Sequence, residues 1–150
     1  MKPEELMIGD WVNFLVDVVG GDTENDPQIE EYEPMRIISI SAWNNNDGEA
    51  ESAEGVICDI EQLKPIPLTV EILNKNGFTT FIDVGDLTYY ESADKRIKAT
   101  NCEGMKNTGN EWSIHVDTED MCTMGYCEVT YIHELQHLLK LCGITKDIKI

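Results

Sequence analysis

Short runs of apolar and β-branched residues in the first 67 residues predict β-strands. The clearest are "GDWVNFLVDVVG", "MRIISISA" and "GVICDI", because alternating or continuous β-branched runs bounded by turn residues are typical of strands. Two acidic, turn-rich segments, residues 21–34 and 43–55, lie between them, and we interpret both as long loops. Short strands with long polar connections predict a small antiparallel β-barrel of the Src-homology-3 type.

The pattern changes after Pro65 and Pro67, which disfavour helix in the residues before them. A short helix is predicted over residues 70–77, with Thr69 as its N-cap and Gly77 as its stop. Four β-like runs follow: "FTTFIDVG", "DLTYYES", "DKRIKAT" and "EWSIHVD". We therefore predict an α+β fold in which the barrel is followed by a helix, an antiparallel sheet and a C-terminal amphipathic helix. The predicted domains are 1–67 and 68–150, either separate or halves of one integrated domain.

The last predicted helix has one broad apolar side at helical spacing. Its members are Tyr131, Ile132, Leu135, Leu138, Leu139 and Cys142. A helical wheel places His133, His137 and Lys140 on the opposite side, so we expect both histidines to face outward. Thr130 is the predicted N-cap and Gly143 the stop. The segment is thus explained as a packing helix.

The same helix contains His133-Glu134-Leu135-Gln136-His137, which matches the zinc-protease pattern H-E-x-x-H. Histidines four residues apart can bind one ion, and the adjacent Glu134 can act as a base on bound water. A catalytic zinc takes three protein ligands, however, and no His or Glu follows His137. We predict a non-enzymatic protein without a cofactor and keep a zinc hydrolase as the alternative.

The cysteines allow a second metal hypothesis, a structural zinc held by Cys122, Cys127, His133 and His137. The gap of five residues between the cysteine pair and the histidine pair is short for a zinc finger, in which about twelve is usual. Five cysteines, unevenly spaced and without an export signal, favour reduced, ordinary buried thiols instead.

Charge is the strongest bulk property, with 29 acidic and 11 basic residues and a net charge of −18. Such a field repels nucleic acid. It can attract basic surfaces of other proteins or imitate DNA to a DNA-binding protein, and the alternative is that the charge serves solubility alone. No apolar run is long enough to span a membrane, and residues 1–12 lack the apolar core of a secretory signal. We expect a cytosolic protein.

One basic cluster interrupts this acidic chain, with aromatic residues on either side of it in the sequence. The predicted ligand-binding residues are Lys95, Arg96, Lys98, Tyr89, Tyr90 and Trp112. Cations beside stacking aromatic rings are suited to a nucleotide or a similar anion. The alternative is an edge strand whose charges prevent aggregation.

Three segments together resemble a family of small uncharacterised proteins that phages, prophages and mobile elements of gut bacteria encode. They are "MIGDWV" at 7–12, "PIPLTVEILNKNGF" at 65–78 and "IHELQHLLKLCG" at 132–143. The resemblance implies an accessory protein that acts inside a bacterial host, without implying an activity. In that family the last motif often lacks its second histidine, which counts against zinc at His137.

These observations predict a phage-type binding protein that sequesters a host target. The target is either a host defence or regulatory protein, bound through the acidic surface, or a small cyclic nucleotide near Lys95, Arg96 and Lys98. A homo-oligomer is compatible with both. Two competing hypotheses are the zinc hydrolase and a structural or assembly module of a phage particle.

Overall fold

The computed structural model describes residues 1–2, 5–19, 28–43, 47–84, 87–102, 111–117 and 123–150. These residues form two compact units, Met1–Ile66 and Pro67–Ile150. Both units are built mainly from antiparallel sheet, and two α-helices belong to the second, which confirms the predicted α+β class. No helix in the described part of the chain combines the length and the apolar character that a membrane crossing needs.

The first unit is one five-stranded sheet in the order β4-β3-β2-β1-β5. A short 3-10 helix, Ile60–Gln62, precedes the last strand. The strands are β1 Trp11–Val19, β2 Ile29–Ala42, β3 Gly48–Ser52, β4 Ile57–Asp59 and β5 Leu63–Pro65. Within the described residues the strand pairings leave β4 and β5 as edges and do not close a barrel, so the Src-homology-3-like barrel is not confirmed.

Strand β2 organises the first unit because it pairs with two partners in succession. Residues 29–36 pair with β1 and residues 37–42 pair with β3. A single apolar core forms on one side of these strands. It consists of Leu6, Val12, Met35, Ile37, Ala50, Ile60 and Leu63, of which Val12, Ile37, Ala50 and Ile60 are fully buried.

Both predicted acidic loops contain strand residues, so that part of the prediction is wrong. The segment 29–34 belongs to β2, and β3 occupies residues 48–52. Polar composition misled the prediction in two ways. The acidic part of β2 is a largely exposed strand, whereas β3 alternates buried Gly48, Ala50 and Ser52 with half-buried Glu49 and Glu51. Residues 20–27 and 44–46 lie outside the described residues.

The second unit contains a five-stranded antiparallel meander in the order β10-β9-β8-β7-β6, with both helices. Its elements are α1 Val70–Lys75, β6 Phe78–Val84, β7 Leu87–Ser92, β8 Ile97–Cys102, β9 Trp112–Asp117, β10 Thr123–Val129 and α2 Ile132–Leu141. The prediction contained all of these except β10. Thr69 caps α1 by accepting a hydrogen bond from the Ile72 N–H, and Gly77 follows the helix with φ 77°.

Helix α2 begins one residue later than predicted, with Tyr131 rather than Thr130 in the N-cap position. The backbone N–H groups of Thr130 and Tyr131 both donate to Oε2 of Glu134, at 2.7 and 3.0 Å. Glu134 therefore satisfies donors that would otherwise lack a partner at the helix start. At the other end, the Ile144 N–H donates to the Leu139 carbonyl and Gly143 has φ 70°, which confirms the predicted stop.

Replacement of Glu134 tests its capping role. We expect Glu134→Ala to lower the free energy of unfolding by about 1 kcal/mol, because two backbone donors lose their acceptor. Glu134→Gln keeps an oxygen acceptor, so its free energy of unfolding should fall by clearly less. Urea titration followed by circular dichroism measures both changes, and equal losses in the two variants would contradict the capping role.

Candidate functional site

The most distinctive surface feature lies where the β2–β3 hairpin turns. Trp43 follows β2 directly, and its N–H donates to the Asp47 carbonyl at 3.0 Å, which closes the turn. The Trp43 side chain is 66% exposed, whereas Trp112 is 2% exposed. Since large aromatic residues normally contribute buried area, a tryptophan this exposed is a candidate contact residue.

A cleft of about 230 Å³ opens beside this tryptophan. Its lining consists of Trp43, Asp47, Gly48, Asp59 and Glu61. Asp47 lies in the β2–β3 turn, whereas Asp59 ends β4 and Glu61 follows in the 3-10 helix, so two segments of the chain bring carboxylates to one opening. Asp47, Asp59 and Glu61 are exposed in the structure. We call this feature the Trp43 cleft.

Gly48 lines the Trp43 cleft at a point where β2 and β3 approach each other closely. A Cβ atom at this position would lie 2.6 Å from the Ser41 carbonyl oxygen and 3.0 Å from both Ala42 Cα and Ile60 Cδ1. Two of these contacts are to backbone, which cannot move without separating β2 from β3. The absence of a side chain therefore lets the two strands approach each other beneath Trp43.

The negative charge is concentrated in the same unit. Residues 1–66 contain 16 acidic and 3 basic residues, a net charge of −13, whereas residues 67–150 contain 13 acidic and 8 basic residues, a net charge of −5. Four exposed carboxylates lie on the outer part of the β1–β2 hairpin. We call this group the acidic arm: Asp17, Glu30, Glu31 and Glu33. Of these, Glu30 binds Lys64 at 2.5 Å, and this contact lowers its pKa.

The predicted ligand-binding cluster is only partly assembled in the structure. Tyr90 and Trp112 are 8% and 2% exposed and contact each other edge to face, with ring centroids 5.7 Å apart. The Trp112 Nε1–H donates to the Leu68 carbonyl at 2.8 Å. Both rings belong to the core of the second unit, so their predicted role as an accessible stacking surface is wrong. Alternation along β7 places Tyr89 on the other face, where its ring lies 5.9 Å from that of Phe81.

The three cations occupy different environments. Lys95 is exposed and adopts φ 60° in the turn between β7 and β8, and Arg96 lies in the same turn rather than on the predicted strand. Arg96 lines a cleft of about 410 Å³ together with Lys146 and Asp94. Asp94 accepts from the Ser92 hydroxyl, which lowers its pKa, so this cleft also contains a carboxylate.

The third cation, Lys98, belongs to a polar cluster that no sequence motif revealed. Lys98 Nζ lies 3.3 Å from Asp117 Oδ2, and His115 Nε2 lies 3.0 Å from Asp117 Oδ1. The hydrogen bond with His115 is the largest of the contacts that lower the pKa of Asp117, and the bond from Lys98 adds to it. The period-two spacing of His115 and Asp117 in "EWSIHVD" was the available signal, because alternate strand residues share a face.

The histidines of the HELQH segment are not a matched outward pair. His133 is 6% exposed, so the expectation that it faces outward is wrong; His137 is half-buried. The His133 ring stacks on that of Tyr131, with centroids 5.8 Å apart and planes at 11°, and it meets His137 edge to face. The helical wheel allowed for packing on the apolar side of α2 only. In the structure the Tyr131 ring, at the N-cap, also packs against His133.

The proposed metal ligands are only partly described. Cys122 lies outside the described residues, and Cys127, on β10, is half-buried, as are Cys58 and Cys142. Burial, reinforced by proximity to Cys127, raises the pKa of Cys142. Among the residues that the structure describes, no three His, Cys, Asp or Glu side chains are placed to share a metal ion.

Comparisons with known proteins give no relative for this chain. No family model, curated protein or solved structure matches it.

The Gly48 geometry gives a prediction for the Trp43 cleft. Gly48→Ala should destabilise the first unit by about 1–3 kcal/mol, because the added methyl group must displace backbone in a packed hairpin. Thermal unfolding measures the loss, and the emission of Trp43 should change with it. Glu49→Ala, at the adjacent half-buried position, is the matched control and should cost less. An unchanged unfolding temperature in Gly48→Ala would contradict this prediction, because it would show that β2 and β3 accommodate the methyl group without cost.

The Asp117 cluster gives a pH dependence. The pKa of Asp117 is lowered in the folded protein, so its stabilising effect is present above the carboxyl's ordinary pKa and disappears as the pH falls through the lowered value. We expect the difference in unfolding free energy between wild type and Asp117→Asn to be largest near neutral pH and to vanish in acid. In a carbon-detected NMR titration, His115→Gln should raise the Asp117 pKa; an unchanged value would exclude the proposed hydrogen bond.

Proposed function

We propose that this protein is a non-enzymatic, phage-type binding protein that sequesters a basic host protein, such as a defence or regulatory factor, in the cytoplasm of a bacterium. The observation that carries the proposal is the Trp43 cleft, an exposed tryptophan beside three carboxylates in a unit of net charge −13. The resemblance to phage and prophage proteins supplies the setting.

The concentration of charge in the first unit supports a basic protein partner. A surface with one sign of charge accelerates encounter with an oppositely charged partner and repels other anions, including nucleic acid. Charge alone gives little specificity. An exposed aromatic side chain inside the charged region supplies the desolvated contact that protein interfaces usually concentrate at their centre.

The environment of the HELQH segment favours binding over hydrolysis. Glu134 would have to give up two backbone donors to act as a base on water, and His133 is held between Tyr131 and His137. Both sets of contacts stabilise the structure. The Glu134 hydrogen bonds cap the start of α2, and the His133 ring packs against Tyr131 and His137. A zinc hydrolase therefore requires a rearrangement that the binding hypothesis does not.

The nucleotide hypothesis has less support than a protein target. Two of the three aromatic residues in the predicted pocket are core residues, and Lys98 shares Asp117 with His115. The remaining cleft at Arg96 and Lys146 includes Asp94, whose negative charge opposes a phosphate. An assembly module is disfavoured for a different reason, because two copies of the first unit repel each other.

Cross-linking in living bacteria tests the proposal. The protein, expressed in a bacterial host, should cross-link to a reproducible set of basic proteins, identified by mass spectrometry. Reversal of three charges of the acidic arm (Asp17→Lys, Glu31→Lys, Glu33→Lys) should remove most of this set, since the field that attracts the partner is reduced. The same number of reversals at exposed acids of the second unit (Glu71→Lys, Asp83→Lys, Asp147→Lys) is the control and should leave the set largely unchanged.

Three results would overturn the proposal. The first is a cross-linked set that is not basic or that does not respond to the acidic arm. The second is near-stoichiometric zinc in the purified protein that is lost in His137→Ala, which would favour the hydrolase. The third is a thermal shift with cyclic nucleotides that Arg96→Gln abolishes, which would replace the protein target with a small ligand.

A further inference from the structure

Resting on the proposed function, we infer that the Trp43 cleft receives the side chain of an arginine from the basic partner. In this arrangement the guanidinium group stacks on the Trp43 indole and donates hydrogen bonds to the carboxylates of Asp59 and Glu61. The inference names both the kind of side chain bound and the residues that bind it.

The size of the cleft limits its occupant. Its volume of about 230 Å³ lies below the roughly 300–1,000 Å³ that are usual for small-molecule and cofactor sites. A nucleotide is therefore too large, whereas the end of one long side chain fits. The cleft is open to the surface and one of its lining residues, Trp43, is 66% exposed, so a side chain presented by another protein can enter it.

The lining selects a cation and then favours arginine over lysine. Among aromatic rings, the face of an indole binds a cation best, and the negatively charged carboxylates attract the same cation. A guanidinium group is planar, so it can stack on the ring while its N–H groups reach carboxylates at the edge. It is also more weakly hydrated than an ammonium group, and so it loses less on leaving water.

The framework of the first unit positions the residues that carry these groups. The Trp43 backbone closes the turn through Asp47, Asp59 pairs with Glu49 across β3 and β4, and the buried Ile60 anchors the segment that carries Glu61. Gly48 lets β2 and β3 approach beneath the opening. The backbone is thus fixed by the fold, while the indole and the carboxylates are directed to the surface.

A binding experiment with capped amino acids isolates the cleft from the rest of the partner. The probe is N-acetyl-L-arginine methylamide, and N-acetyl-L-citrulline methylamide is its uncharged counterpart of nearly the same shape. The signal is the indole N–H resonance of Trp43 in a nitrogen-proton correlation spectrum, assigned by its loss in Trp43→Leu. We expect the arginine probe to shift this resonance in a saturable manner and the citrulline probe to leave it unchanged. The lysine analogue should bind more weakly, by about threefold or more.

Variants locate the site. Trp43→Leu should weaken binding of the arginine probe about tenfold, followed through the backbone resonances of Asp59 and Glu61. The single variants Asp59→Asn and Glu61→Gln should each weaken it about tenfold as well. Glu54→Gln removes one exposed charge from the same unit outside the cleft lining and should change the affinity by less than about twofold, because a single distant charge is screened. Circular dichroism confirms that each variant is folded.

The outcomes separate this inference from the function on which it rests. Equal shifts with arginine and citrulline, or equal losses in Glu61→Gln and Glu54→Gln, would overturn the arginine site while cross-linking to basic proteins could still stand. A specific arginine shift in a protein that cross-links to no basic protein would support the cleft and overturn the proposed function. Loss of the cross-linked set in Trp43→Leu would support both.

Discussion

The placement of negative charge is the constraint on which the first unit depends. Sixty-six residues with a net charge of −13 must form a core although their like charges repel one another. The sheet achieves this by keeping Val12, Ile37 and Ile60 fully buried, while carboxylates such as those of Glu31 and Asp47 are exposed on the outer hairpin and in the turns. Burial of these side chains contributes about 1.5–3 kcal/mol each, which offsets a repulsion that solvent and salt screen.

The second unit depends on a different set of interactions, which hold several segments against its antiparallel sheet. The buried indole of Trp112 binds the Leu68 carbonyl before α1, and Asn76 holds the C-terminal segment by exchanging two hydrogen bonds with Lys149. Ile148, in the same segment, is buried. The Glu134 cap has a similar role, since it fixes the backbone between the end of β10 and the start of α2. A segment that spells a catalytic motif therefore contributes to the architecture.

Local signals in the sequence predicted local structure well. The strands with regular β-branched runs, the Thr69 cap and the Gly143 stop depend on residues that are neighbours in the chain. The features that could not be predicted depend on distant residues or on polar strands. The outer part of β2 is acidic and exposed, β10 lies beside a turn-rich segment, and the burial of Tyr90 and Trp112 depends on how the whole meander packs. The Trp43 cleft could not be predicted either, because its carboxylates come from two segments, around residues 47 and 59–61, that are distant in the sequence.

Charge and shape have separate roles in this protein. A field from many carboxylates determines the sign of a partner and the rate at which it arrives, but it acts over a Debye length of about 8 Å and cannot select one orientation. Orientation requires a contact that only one geometry satisfies. The Trp43 cleft is suited to this, because stacking and carboxylate pairing can both be satisfied only by a planar cation in one plane. Under the proposed function, an acidic unit without such a cleft would bind basic proteins indiscriminately, whereas one exposed indole among the carboxylates would give a partner one specific point of attachment.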